Sequence, residues 1–132
     1  MNKRQQANAP ITARVKLTLH GEERFFGPGI CELLEGIRET GSIQAAAAEM
    51  EMYYTKACKI LNRAEREMET PLIIRVSGGK KGGCSTLTDA GERAIRDFRE
   101  MEAKLRETAD ELFRVYRQGF MPAAKEPPGE DC

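Results

Sequence analysis

A glycine-rich segment, GGKKGG at residues 78–83, lies between two short stretches that have the composition of β-strands. PLIIRVS precedes it and CSTLT follows it, and a short connection that contains glycine between two such runs is typical of a β-hairpin. A nucleotide-binding loop would need the pattern GxxxxGK[ST] leading into a helix. Here no Lys-Ser or Lys-Thr pair follows the second pair of glycines, and the next element is a strand. The segment therefore predicts a hairpin tip that carries two lysines, Lys80 and Lys81.

Three helical patterns precede this hairpin. Apolar residues recur at i, i+3, i+4 and i+7 across residues 30–37, which predicts an amphipathic helix that Gly41 ends. Ser42 is a suitable N-cap for a second helix, whose four consecutive alanines would let it lie close against its neighbours. After a short break near residues 51–52, a third helix is predicted from about residue 53 to residue 69, before Pro71.

The third helix has two faces of different chemistry. Its apolar positions are Tyr54, Ala57, Cys58, Leu61, Ala64 and Met68, whereas Lys56, Lys59, Arg63 and Arg66 recur at spacings of three and four on another face. Such a basic stripe is most often a solvated face. However, residues 54–81 hold seven basic and three acidic residues, whereas residues 21–51 hold two basic and seven acidic ones, in a chain whose net charge is zero. This asymmetry favours an anionic partner for one face of the protein.

The N-terminal part of the chain predicts a first hairpin. Apolar and polar residues alternate from residue 11 to residue 19, which indicates a strand with one buried face. His20-Gly21-Glu22 gives a turn, Arg24 begins a second strand, and Gly27-Pro28-Gly29 ends it. Residues 1–10 have no apolar segment after their charges, so we expect a disordered arm and not a secretory signal.

The last helix is predicted to be long. Thr88 can cap it, and the helical pattern continues to about Gln118. Its apolar residues recur at alternating spacings of four and three, the a/d pattern of a coiled coil, and the predicted dimer contacts are Phe98, Met101, Leu105, Leu112 and Val115. The alternative is that this helix folds back on the first strand pair. Residues 119–132 are rich in proline and acidic residues and are expected to be a disordered tail.

These elements predict an α+β fold, mainly α: a winged helix-turn-helix over residues 11–118, with an N-terminal β-hairpin and a long C-terminal dimerisation helix. In such an arrangement the third helix enters the major groove of DNA and the hairpin tip reaches the adjacent phosphate backbone. The basic stripe and the lysine tip would then be two parts of one DNA-binding surface. Partners are therefore expected to be double-stranded DNA and a second copy of the chain.

Residues 41–92, from GSIQAAAAEM through LNRAE, PLIIR and GGKKGG to LTDAGE, resemble the DNA-binding domain of the ModE-type molybdate-responsive regulators. The same stretch is more distantly similar to LysR-type helix-turn-helix domains. The resemblance implies a bacterial transcriptional regulator. Proteins of this family also carry a C-terminal molybdate-binding region, for which we expect no room after the long helix. Two positions depart from the family pattern: Tyr53 replaces a serine cap, and Cys58 replaces a tryptophan.

The candidate DNA contacts follow from this reading. Residues in the first turns of the third helix are expected at or near base edges: Tyr53, Tyr54, Thr55, Lys56 and Lys59. Backbone phosphates are expected to meet Ser42, Gln44, Arg63, Lys80 and Lys81. Tyr54 has a competing role, because its position also belongs to the apolar face of the helix.

Other classes of function stay open at this point. The chain could respond to an oxyanion or a metal, it could use Cys84 as a thiol redox switch, or its wing and basic helix could bind an acidic protein. An enzyme is not expected, because there is one histidine, His20, and no set of paired carboxylates or nucleophile and base stands out. The four cysteines have no CxxC spacing, so we expect no metal site, no cofactor and a cytoplasmic protein with reduced thiols. No membrane span is expected, and molybdate or tungstate as effector lacks a sensor domain.

Overall fold

The computed structural model of the protein describes residues 11–76 and 84–121. The predicted N-terminal arm (1–10), the hairpin tip with Lys80 and Lys81, and most of the predicted tail lie outside the described residues. In the described ranges no helix is long and apolar enough to cross a membrane.

The order of elements agrees with the predicted one. Within the described residues the strands are β1 (Leu19–His20), β2 (Arg24–Phe26), β3 (Ile73–Val76) and β4 (Cys84–Leu87). The helices are α1 (Pro28–Thr40), α2 (Ile43–Glu49), α3 (Tyr54–Met68) and α4 (Asp89–Tyr116), and a 3-10 turn follows at Arg117–Gly119. The contacts divide the described chain into two compact units, one of residues 16–102 and one of residues 11–15 with 103–121.

Local sequence signals account for the ends of α1 and α2. Pro28 occupies the first turn of α1, where its missing N–H costs nothing, and Gly41 ends the helix with a left-handed φ of 75°. The Ser42 hydroxyl accepts a hydrogen bond of 3.0 Å from the Ala45 N–H, which confirms the predicted cap of α2. A side chain at Gly36 would approach the Ala46 Cβ to 3.0 Å, so α1 and α2 pack closely through small residues.

Both predicted hairpins are present as antiparallel pairs, but the first is shorter than expected. β1 pairs with β2 through Leu19 opposite Phe26 and His20 opposite Arg24. The prediction of a strand over residues 11–19 was wrong for residues 11–18, which form no strand. β2 has three residues before α1 begins, so it offers no hydrogen-bonding partner to the chain before Leu19. Alternation of apolar residues does not by itself supply that partner.

The first part of α4 belongs to the hydrophobic core of the unit 16–102. The Thr88 hydroxyl accepts a hydrogen bond of 3.0 Å from the Gly91 N–H, which confirms the predicted N-cap. Phe98 is 2% exposed and packs on Phe26, with ring centroids 5.2 Å apart. The assignment of Phe98 to the dimer surface is therefore corrected, because its side chain is already buried within its own unit.

An ion pair fixes α4 against α1 next to this core. The Arg99 guanidinium donates to both Glu35 carboxylate oxygens, at 3.0 and 2.8 Å, and to Glu102 at 2.7 Å. The hydrogen bonds from Arg99 hold the pKa of Glu35 below its usual value. Nearby, burial raises the pKa of the Cys31 thiol to about 11, so this thiol is unreactive at neutral pH.

The other unit holds residues 11–15 and 103–121. Ala109 is buried in it, and the rings of Phe113 and Phe120 lie 6.3 Å apart. Leu105, Leu112 and Val115 are exposed. Helices α1, α2 and α3 followed by the β3–β4 hairpin make the fold a winged helix-turn-helix, mainly helical, with a small N-terminal hairpin and a long last helix.

Candidate nucleic-acid interface

A tight turn positions α3 after α2. The Met50 and Met52 N–H groups both donate to the Ala47 carbonyl, at 3.0 and 2.9 Å, and Glu51 takes a positive φ of 57°. Tyr53 is the N-cap residue of α3, with extended backbone angles and no hydrogen bond from its side chain to the helix. Tyr53 thus does not supply the side-chain cap that a serine at this position could supply. The Tyr53 side chain is free to point outward.

The first two turns of α3 present an exposed polar surface. Tyr53 is 84% exposed and Tyr54 is 51% exposed, and Thr55, Lys56 and Lys59 are exposed beside them. No ion pair within the described residues engages Lys56 or Lys59. Two unpaired ammonium groups on one face give a local positive potential that attracts a polyanion. The structure thus brings together all the residues proposed for base readout.

Tyr54 belongs to this exposed surface and not to the core. The buried face of α3 consists of Ala57, Leu61 and Ala64, which are fully buried, with Cys58 and Met68 half-buried against the core. A hydrogen bond with Cys58 raises the pKa of the Tyr54 hydroxyl. A tyrosine hydroxyl both donates and accepts hydrogen bonds, so this exposed group suits contacts with phosphates and base edges.

Two of the predicted phosphate contacts lie at the start of α2. Gln44 is exposed and has its amide available. Ser42 is half-buried, and its hydroxyl oxygen is engaged as the N-cap acceptor. The Ser42 O–H can still donate one hydrogen bond, so capping does not exclude a phosphate contact. Ser42 therefore caps α2, and this role is compatible with the predicted phosphate contact.

Arg63 and Arg66 continue the basic stripe along α3. Arg66 is exposed. Arg63 is also exposed, but its Nε lies 3.5 Å from the Glu23 carboxylate of the turn between β1 and β2. Because both partners are solvent-accessible, this ion pair is weak. Arg63 could exchange Glu23 for a phosphate at small cost.

The second half of α3 is attached to both hairpins through its carboxylates, a feature that sequence reasoning missed. The Glu65 Oε2 accepts hydrogen bonds from the Leu72 and Ile73 N–H groups at 2.8 and 3.2 Å, where the chain enters β3. Its other oxygen lies 3.9 Å from Arg75. Glu67 accepts a hydrogen bond of 3.4 Å from the Glu22 N–H in the first hairpin turn. No signal in the sequence identified these contacts, because each joins residues on different elements.

The wing is held against the helices at its base. β3 and β4 pair from Ile73 opposite Leu87 to Val76 opposite Cys84. The Ser85 N–H donates to the Gly41 carbonyl at 2.8 Å, which connects β4 to the junction of α1 and α2. The two tip lysines lie beyond the described ends of these strands.

The remaining candidate groups are placed as follows. Cys84 is exposed on β4, as predicted. In the described ranges no three His, Cys, Asp or Glu side chains are grouped so that they could hold a metal ion. Cys58 lies on the core side of α3 and contacts Tyr54 as described above.

Comparison with known proteins agrees with this geometry. Residues 31–92, which run from α1 through the wing to the start of α4, match the family described as bacterial regulatory helix-turn-helix protein, lysR family. These residues are therefore similar to LysR-type helix-turn-helix domains and to regulators of the ModE type. The predicted resemblance to both families is thereby confirmed.

Three relatives show how far this likeness extends. The molybdenum transport protein ModE of Azotobacter vinelandii is 35% identical over 80 residues, which are 61% of this chain and 30% of that protein. The transcriptional regulator ModE of Yersinia pestis is 38% identical over 87 residues, 65% of this chain and 33% of that protein. The DNA-binding transcriptional dual regulator ModE of Escherichia coli is 33% identical over 87 residues, which are again 65% of this chain and 33% of that protein. The chain thus spans about a third of the length of these relatives.

Proposed function

We propose that this protein is a homodimeric transcriptional regulator that binds a specific DNA sequence. The observation that supports this most directly is the first half of α3, where exposed side chains with hydrogen-bonding and cationic groups follow a capped α2. No other part of the described chain combines an exposed helix end, unpaired lysines and an adjacent hairpin. The similarity to regulators of the ModE type supports the same conclusion.

In the proposed complex, α3 lies in the major groove. Lys56 and Lys59 donate to guanine acceptors or to nearby phosphates, and Thr55 and the two tyrosines contact base edges or thymine methyl groups. Gln44, the Ser42 hydroxyl and Arg63 bind phosphates on either side of the groove. These phosphate contacts fix the position of α3 on the duplex and carry no sequence information themselves.

The wing supplies a second contact to the backbone. In the sequence, Lys80 and Lys81 lie between two pairs of glycines in the predicted hairpin tip, and glycine permits close approach of backbone N–H groups to a phosphate. The attachment of the wing through Ser85 and Glu65 gives its base a defined position relative to α3. The wing and α3 therefore act on DNA as one unit.

The long helix α4 supplies the proposed dimer contact. After the correction of Phe98, the proposed contact residues are Met101, Leu105, Leu112 and Val115, which are all exposed large apolar side chains. They keep the spacing of a coiled-coil seam. Pairing with the same helix of a second copy would remove them from water and would place two copies of α3 on one duplex, about one helical turn apart.

The test is selection of bound sequences from a pool of random duplex DNA at two salt concentrations. A two-fold-symmetric motif in the bound fraction is the expected result. Salt-sensitive binding without an enriched motif would contradict sequence specificity. An enriched half-site without symmetry would contradict the homodimer, and sedimentation of the protein alone would then be expected to give a monomer.

The response to a small molecule is a separate question. All three relatives above carry molybdenum or transcriptional regulation in their names, and this chain matches about a third of each. Repeating the selection with molybdate and with tungstate tests whether either anion changes the affinity. A changed affinity would show that the protein responds to that anion, and an unchanged affinity would show that it does not.

A further inference from the structure

A cleft lies within the unit 16–102, at the place where the first hairpin and the start of α1 meet α3. Its volume is about 330 Å³, at the lower end of the range of small-ligand pockets, roughly 300–1,000 Å³. The apolar part of its wall comes from Phe25, Phe26, Ile30, Met52 and Ile60. The DNA-binding role proposed above leaves this cavity unexplained.

Three cationic side chains converge on the cleft: Arg24 from β2, and Lys56 and Arg63 from α3. Only Arg63 has an ion-pair partner among the described residues, the exposed Glu23. Gly27 lets the Arg24 guanidinium come close, because a Cβ at this position would lie 2.9 Å from the Arg24 Nη2. The backbone of Gly27 is extended, with φ of −169°, a conformation that any residue can adopt.

The chemistry of this wall selects a ligand class. A simple inorganic anion would be attracted by the cations but would leave the phenylalanine and isoleucine surface exposed to water. A neutral apolar molecule would cover that surface but would leave the cations unpaired. We propose that the cleft binds a small organic anion that has a carboxylate or similar group on a compact apolar body, and that this ligand opposes DNA binding.

The opposition to DNA rests on the proposed function, because it depends on Lys56 and Arg63 serving both sites. A carboxylate paired with Lys56 neutralises one of the charges offered to DNA and holds its side chain against the cleft. By linkage, a ligand that lowers the affinity for DNA by some factor has its own affinity lowered by DNA by the same factor. We expect a factor of roughly five or more, the lower end of typical coupling.

The binding part is tested without DNA, by titrating the isotope-labelled protein with benzoate at constant ionic strength and following backbone amide shifts by NMR. Gly27 and Gly29 are among the residues that line the cleft, whereas Gly41 and Gly119 are not, and glycine amide signals are resolved from most others. Saturable shifts confined to Gly27 and Gly29 and their neighbours are expected. Absence of these shifts, or shifts of similar size at all four glycines, would overturn the site.

Two further probes separate the parts of the ligand class. Benzyl alcohol has the ring without the charge, and inorganic phosphate has the charge without the ring, so both are expected to bind roughly tenfold or more weakly than benzoate. Equal binding of benzyl alcohol would overturn the requirement for an anion. Equal binding of phosphate would overturn the requirement for an apolar body and would point to a simple phosphate contact.

Variants test the residues. Arg24→Gln is expected to weaken benzoate binding roughly tenfold, because a charge-assisted hydrogen bond is lost. Arg96→Gln removes an exposed arginine of α4 outside the cleft and is expected to leave benzoate binding unchanged. Equal affinity in the Arg24 variant would overturn the assignment, and the same spectra report whether each variant is folded.

The coupling is tested last, with a duplex selected as described above. Benzoate should lower the affinity of the wild-type protein for this duplex, and the Arg24→Gln variant should need a higher benzoate concentration for the same effect. Benzoate binding that leaves DNA affinity unchanged would overturn the opposition. Failure to bind any duplex in the absence of benzoate would contradict the proposed function, whereas the glycine shifts would still report on the cleft.

Discussion

The two halves of α3 differ in how they are held. In the first half, residues 54–60, Thr55, Lys56 and Lys59 are exposed, and no ion pair in the described part of the chain restrains the two lysines. In the second half, residues 61–68, Leu61 and Ala64 are fully buried. There Glu65 and Glu67 also accept hydrogen bonds from the backbone of the two hairpins.

This difference separates attachment from recognition along one helix. Because the second half fixes the position of the helix axis, the first half can present side chains whose identity matters little to folding. A change at an exposed residue of the first half should therefore alter DNA binding with little effect on stability, and a change at a buried or attached residue of the second half, such as Leu61 or Glu65, should mainly alter stability. Each of the following predictions tests that separation, ordered by the expected effect on stability.

The largest effect is expected for Leu61→Ala in the attached half. Leu61 is fully buried in the core, and removal of a buried leucine side chain costs about 2–5 kcal/mol through lost apolar burial and the cavity that remains. Urea unfolding of this variant and of Lys59→Ala, two residues earlier, provides the measurement. We expect the lysine variant to stay within about 0.5 kcal/mol of wild type. Similar losses in both variants would contradict the separation.

Glu65→Ala should have the next largest effect. It removes the acceptor of the Leu72 and Ile73 N–H groups, and a buried donor left unsatisfied costs about 1–3 kcal/mol. Glu65→Gln is the matched control, because its amide oxygen can still accept both bonds, as the single carboxylate oxygen does. If the carboxylate positions the wing, the alanine variant should also lose affinity for DNA at a temperature where it is folded. Unchanged affinity would limit Glu65 to a role in stability.

The parts of this arrangement that could be predicted from sequence are those set by neighbours along the chain. Ser42 and Thr88 were identified as caps because a cap and the N–H group that donates to it lie within three residues. Phe98 was misassigned because an a/d pattern shows that a helix face is apolar and does not show whether the covering residue, here Phe26, comes from the same chain.

The parts of the fold and site that could not be predicted depend on contacts between residues that are distant in the sequence. In the sequence, Glu65 is one of several carboxylates on a charged helix. Its hydrogen bond with the Leu72 N–H forms only when the chain after Pro71 packs against α3. Arg24 likewise gave no signal, since its position beside Lys56 and Arg63 depends on how the first hairpin packs against α3. The basic stripe was visible from its spacing, but its division into a free half and an attached half required the packed structure.

Tyr53→Ser should increase stability by a smaller amount. Tyr53 occupies the N-cap of α3 with extended backbone angles, φ −69° and ψ 147°, and makes no capping bond. A serine hydroxyl there can accept from a free N–H of the first turn, which stabilises a helix by about 1 kcal/mol. Tyr53→Ala is the control that removes the ring without adding an acceptor. A gain in stability with a loss of DNA affinity in the serine variant would show that this position favours recognition over folding.

The smallest effect on stability, and the clearest effect on DNA binding, is expected for Lys56→Ala and Lys59→Ala. Neither lysine has an ion-pair partner in the part of the chain that the structure describes, so each variant should unfold within about 0.5 kcal/mol of wild type. If each ammonium neutralises one phosphate, the slope of log affinity against log salt should fall by about 0.9 per lysine. Loss of preference for the selected motif with an unchanged slope would instead assign the lysine to base readout.

The control is Arg96→Ala, which lies outside the proposed interface and should change neither the stability nor the salt slope. A reduced slope in that variant would mean that DNA contacts α4, and the interface would then extend beyond α2, α3 and the wing.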